Sequence, residues 1–70
     1  MEEKYLEKLV ELKVNVNVFL TCNVKLQGVI RAVDDDAILL DHDARLQLVY
    51  KHAISTISAG TFVKEEDIVG

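Results

Sequence analysis

The chain has 70 residues, half of them hydrophobic, with one cysteine and no proline or tryptophan. This composition excludes a disulfide framework and a cysteine-based zinc site, and a core of this size supplies only ~3–5 kcal/mol unless a partner chain adds to it. Eight basic against twelve acidic residues give a net charge of −4, which argues against nucleic-acid binding through a general basic field.

The chain also lacks the marks of membrane or secreted proteins. No apolar run approaches the ~20 residues that span a bilayer, and the N-terminus is acidic rather than basic and apolar. We therefore expect a soluble, cytoplasmic protein with no membrane association, no cofactor and no metal. The lone Cys22 fits a reducing compartment and is predicted to be a small apolar filler.

The N-terminal segment, about residues 2–13, is predicted to be an α-helix. Its apolar residues recur at spacings of one, three and four, which places them in one stripe on a helix. They are Tyr5, Leu6, Leu9, Val10 and Leu12.

From Val14 the hydrophobic period changes to two, which predicts a half-buried first strand. Phe19 falls on the polar side of this strand, so it is either exposed or packed under another element. Cys22 and Asn23 form the predicted turn into a second strand, 24–33. Gly28 in the middle of that strand indicates a bulge, a bend or a close backbone approach.

The remaining elements are predicted to be short. Three aspartates at 34–36 form a corner, and 37–40 reads as a buried third strand. A polar connector follows at 41–45, with His42 as a solvated loop histidine. Strands four and five are predicted at 46–50 and 53–58, so that the strands occupy about 14–58 and a short tail occupies 59–70.

The stretch Tyr50–Thr56, reading YKHAIST, is unlike a generic strand. Two runs of strand-forming residues are separated only by Lys51 and His52, so the chain must turn sharply there. These two side chains are therefore expected at fixed positions on rigid elements, where binding groups are placed most accurately.

This heptad, together with Lys25–Gly28 and Asp34, resembles the two signature motifs of the Hfq family of bacterial Sm-like RNA chaperones. The resemblance covers about residues 2–58. It implies a mainly β, Sm-like fold: one N-terminal helix, then five strongly bent antiparallel strands in a small open barrel, forming one domain over 1–70. It also implies a homohexameric ring in which strand four of one subunit pairs with strand five of the next.

The resemblance further implies an adenine-binding site on the distal face of the ring. In the family this site uses an aromatic, an aliphatic, two glutamines and a threonine. The corresponding residues here, with Leu20 from the adjacent subunit and Lys25 nearby, are Phe19, Leu20, Val24, Lys25, Gln27, Gln47 and Thr56.

Two other family surfaces are altered. The proximal uridine site keeps Lys51 and His52, but its aromatic platform falls at Asp36 and its helix-start glutamine falls near Glu2. A carboxylate neither stacks on a base nor tolerates phosphate. The arginine patch of the rim also maps to residues without arginine, namely Val10, Glu11 and Lys13.

The sequence thus predicts a non-enzymatic ring that binds single-stranded RNA, A-rich in preference to U-rich, as a post-transcriptional regulator. The alternative is a degenerate ring that serves as a protein-interaction scaffold with weak or no RNA binding, a reading that the acidic charge favours. An enzyme is not predicted, because Cys22, His42, His52 and Ser55 suggest no paired nucleophile and base.

Overall fold

A computed structural model describes residues 3–59 of the chain. One helix is followed by five strands, with a single turn of 3-10 helix, Lys51–Ala53, before the last strand. The elements are α1 (Glu3–Leu12), β1 (Asn15–Leu20), β2 (Lys25–Val33), β3 (Ala37–His42), β4 (Arg45–Tyr50) and β5 (Ile54–Ala59).

Helix α1 buries the stripe that its sequence spacing predicts. Leu6 and Leu9 are fully buried, and Tyr5 and Val10 pack beside them. The helix ends at Leu12 because Lys13 takes a left-handed conformation (φ 54°) while its N–H still bonds to the Leu9 carbonyl at 3.1 Å. The predicted helix is therefore confirmed over Glu3–Leu12 and ends one residue before its predicted end, while its predicted first residue, Glu2, lies outside the described residues.

The strands form one antiparallel sheet in the order β4-β3-β2-β1-β5. Among residues 3–59, strands β4 and β5 are its two edges and leave rows of backbone groups without a partner strand. Two register shifts, between Phe19 and Leu20 and between Ile30 and Ala32, interrupt the ladders. The predicted order of one helix followed by five antiparallel strands is thus confirmed.

The β1–β2 hairpin closes at Cys22 and Asn23, as predicted, with Asn23 at φ 68°. Cys22 is exposed in this turn, so its prediction as an apolar filler is wrong. Gly28 marks a close backbone approach, because a Cβ atom there would overlap the Asp41 carbonyl. Only glycine lets β2 and β3 lie this close.

The predicted connector at 41–45 is wrong. Strand β3 continues to His42 and β4 begins at Arg45, so only Asp43 and Ala44 remain as the turn. Both have positive φ, 52° and 63°, the backbone of a type I′ hairpin. The turn was missed because this hairpin type normally has glycine, and the chain has alanine instead.

Strand β5 runs to Ala59, the first residue of the predicted tail, and the rest of that tail, 60–70, lies outside the described residues. The core is one cluster beneath α1, built from all five strands. Its fully buried strand residues are Val16, Val18, Ile30, Ile38 and Leu40. Within 3–59, no helix has the length and apolar character needed to cross a membrane.

Candidate functional site

Strand pairing brings most of the predicted distal residues together on one face of β2, β1 and β5. Phe19 lies opposite Lys25 on one side and Thr56 on the other. Side chains of directly opposed residues lie ~4.5–5.5 Å apart at Cβ. Phe19 remains 39% exposed, which decides between the two alternatives that its sequence position allows.

A cleft of about 310 Å³ opens beside this aromatic ring, and we call it the Phe19 cleft. Four predicted residues line it, Phe19, Leu20, Val24 and Lys25, together with Asn23 and Ser55. Leu20 thus borders the cleft of its own chain. Sequence reasoning missed Ser55, which comes into place where the β1–β5 register shifts. The turn residue Asn23 was visible in sequence only as a structural element.

Gln27 lies two residues further along the same face, opposite Asn17, which in turn lies opposite Ser58. Its side chain is exposed, whereas its backbone carbonyl lies 2.6 Å from His42 Nδ1. His42 Nε2 also lies 3.4 Å from the Asp43 carboxylate. The prediction of His42 as a solvated loop residue is therefore wrong, since its imidazole contacts the Gln27 backbone carbonyl. The side-chain amide of Gln27 is exposed to solvent.

Gln47 is not brought to the Phe19 cleft within one chain. It lies on β4, the edge opposite β5, where it pairs with Leu40 and is half-buried. No local pattern in the sequence signals this separation, because the strand order is a tertiary property. Gln47 joins the cleft only if β4 of another chain lies beside β5.

The predicted proximal residues Lys51 and His52 line a larger cavity of about 630 Å³, the Lys51 cavity. Thr56 borders this cavity as well, because β5 is an edge strand. His52 stacks on Tyr50 with ring centroids 5.7 Å apart and an angle of 19° between planes. The acidic residues that line the cavity are Glu3 and Asp35.

Asp36, the predicted platform position, is exposed and does not border the Lys51 cavity. Its backbone carbonyl instead accepts a hydrogen bond from the Lys51 N–H at 2.8 Å. The preceding corner is held by Asp34, whose carboxylate accepts the N–H groups of Asp36 and Ala37, each at 2.9 Å. These two backbone bonds lower the pKa of Asp34 below its usual 3.8, with Lys51 adding a smaller attraction.

A solved structure places this architecture in the Sm-like class. The 1.55 Å crystal structure of the pleiotropic translational regulator Hfq superposes with a TM-score of 0.78 and 34% identity, covering 80% of this chain and 93% of that one. The sequence profile of the family described as Hfq protein matches residues 1–64. The chain belongs to the Hfq family.

Curated relatives agree with this assignment. RNA-binding protein Hfq of Cereibacter sphaeroides (strain ATCC 17029 / ATH 2.4.9) is 48% identical over 60 residues, which are 86% of this chain and 78% of the relative. RNA-binding protein Hfq of Oceanobacillus iheyensis is 41% identical over 58 residues, 83% of this chain and 78% of the relative. The family predicted from the heptad is therefore confirmed.

Proposed function

We propose that this chain binds single-stranded RNA in the Phe19 cleft and acts as a non-enzymatic RNA chaperone in the cytoplasm. The observation that carries the proposal is an exposed aromatic, Phe19, with a lysine and a threonine as its cross-strand neighbours. Aromatic stacking supplies ~1–3 kcal/mol per base and needs an accessible ring. Lys25 adds a cation for the phosphate backbone.

The preference that we propose is for adenine. An amide side chain both donates to and accepts from the adenine edge, and Gln27 offers such an amide on a strand held by its carbonyl bond to His42. Gln47 would add the second amide from the β4 strand of a neighbouring chain.

We further infer that the chain, as one domain over 1–70, assembles into a homohexameric ring. In the described part of the chain neither edge of the sheet has a partner strand, and β4 carries apolar side chains that are more than half exposed: Leu46 at 62%, Leu48 at 58% and Tyr50 at 52%. Pairing β4 of one chain with β5 of the next covers both edges. The ring also brings Gln47 towards the neighbour's Thr56 and Phe19.

The test compares oligo-A and oligo-U binding at equal ionic strength for the wild type, Phe19→Ala and Phe19→Tyr. We expect oligo-A to bind more tightly than oligo-U. Phe19→Ala should weaken oligo-A binding by ~1–3 kcal/mol per engaged base, and Phe19→Tyr should restore it because tyrosine keeps the stacking surface.

Equal oligo-A binding by wild type and Phe19→Ala would show that the phenyl group of Phe19 does not stack on a base. A folded assembly that binds neither RNA would support the scaffold alternative instead.

A further inference from the structure

Lys51 is engaged within its own chain. Its ammonium group lies 3.0 Å from the carboxylate of Glu3, and its side chain is only 16% exposed. Its backbone N–H is held by the Asp36 carbonyl at 2.8 Å. Both ends of the residue are therefore positioned, and the Glu3 carboxylate already takes one of the three N–H donors of the ammonium group and offsets its charge.

The charges around the Lys51 cavity reinforce this restraint. Among the described residues that line the cavity, Lys51 is the one lysine or arginine, against the carboxylates of Glu3 and Asp35. An anionic ligand that displaced Glu3 would lie beside two carboxylates with one cation between them. Because negative charges within one cavity repel each other, the Lys51 cavity is unfavourable for phosphate.

We propose that Glu3 is a specificity-determining residue, which makes the Lys51 cavity reject RNA by neutralising the lysine charge that would attract phosphate or a uracil carbonyl. This inference rests on the proposed RNA-binding function. It explains how one chain binds RNA in the Phe19 cleft but not in the Lys51 cavity. The substitution that removes the block is Glu3→Gln, which keeps side-chain size and a carbonyl acceptor but removes the charge.

The chain offers a matched control. Glu7 lies one turn further along α1, is exposed and does not line the Lys51 cavity. Glu7→Gln changes the net charge of the chain by the same amount on the same helix. Comparing the two variants separates the local pair from the general effect of a less acidic molecule.

Oligo-U and oligo-A binding are measured for wild type, Glu3→Gln, Glu7→Gln and the double variant Glu3→Gln/Lys51→Ala. Glu3→Gln should raise oligo-U affinity by up to about fivefold, the factor equivalent to the ~1 kcal/mol upper range of a partly exposed ion pair. Its logarithmic salt slope should steepen by ~0.7 for each phosphate of single-stranded RNA that the released Lys51 neutralises. Glu7→Gln should show neither change, the double variant should lose the increase in affinity, and oligo-A affinity should stay constant throughout.

Three results would each overturn the inference: unchanged oligo-U affinity in a folded Glu3→Gln assembly, an equal increase in Glu7→Gln, or an increase that survives Lys51→Ala. Because Glu3 is half exposed, at 50%, its replacement does not open the core. Loss of oligo-A binding in the wild type would refute the proposed function alone, since the oligo-U comparison between the two glutamine variants is read independently.

Discussion

Ala44 is the residue whose backbone conformation least suits its side chain. It lies at φ 63° in the two-residue turn between β3 and β4, next to Asp43 at φ 52°. A left-handed conformation costs an L-residue ~1–2 kcal/mol, and the extra flexibility of glycine in the unfolded chain offsets ~0.5–1 of that. Ala44→Gly should therefore raise the free energy of unfolding by ~0.5–1 kcal/mol, measured by urea denaturation at fixed protein concentration.

The same substitution at a strand position supplies the control. Ala32 is exposed within β2 and has no positive φ. Ala32→Gly should lower stability by ~0.5–1 kcal/mol, since glycine there brings only flexibility. Equal destabilisation by both variants would contradict the type I′ assignment of the turn.

At the scale of elements, the corner between β2 and β3 depends on one carboxylate. Asp34 accepts two backbone N–H groups, which favour its charged form and lower its pKa below 3.8. Its contribution to stability is therefore fully present above pH 3.8 and is lost as the pH falls through the lower pKa of the folded state.

Asp34→Asn keeps an acceptor oxygen but removes the titrating charge. Wild type should be more stable than this variant near neutral pH, and the difference should shrink below pH 3.8, as followed by thermal unfolding across an acid series. Asp35→Asn is the control, because it removes a neighbouring carboxylate that accepts no hydrogen bond within residues 3–59 and should leave the stability near neutral pH unchanged. A pH-independent difference for Asp34→Asn would show that the charge is irrelevant to the corner.

At the scale of the whole molecule, assembly should depend on the β4 edge. The 7.9-kDa chain should sediment as a species of six copies, about 47 kDa. Leu48→Lys places a charge on the exposed apolar face of this edge strand and should shift the equilibrium towards the monomer. Leu12→Lys, a similar change at a partly exposed leucine at the end of α1, should leave the mass unaltered.

Sedimentation equilibrium at micromolar concentration distinguishes these outcomes. A folded wild-type monomer would contradict the ring. An unchanged mass in Leu48→Lys would place the contact between subunits elsewhere on the molecule.

The elements of this fold follow from patterns local to the chain. The stripe of Leu6 and Leu9 predicts α1, and the alternation from Val14 predicts β1. The heptad Tyr50–Thr56, together with Lys25–Gly28 and Asp34, indicates the family before the fold is known, and the family profile matches residues 1–64. Local periodicity encodes such features because a helix and a strand each repeat the same side-chain direction every few residues.

Only the tertiary structure decided which side chains meet. Glu3 and Lys51 are 48 positions apart in the chain yet form an ion pair, and His42 holds the backbone of Gln27. Gln47, assigned from sequence to the same RNA site as Phe19, lies on the edge strand β4 at the other end of the sheet from β5. The order of strands, their register and the close approach at Gly28 determine these distances, and they arise from how the strands pair and pack rather than from residue spacing along the chain.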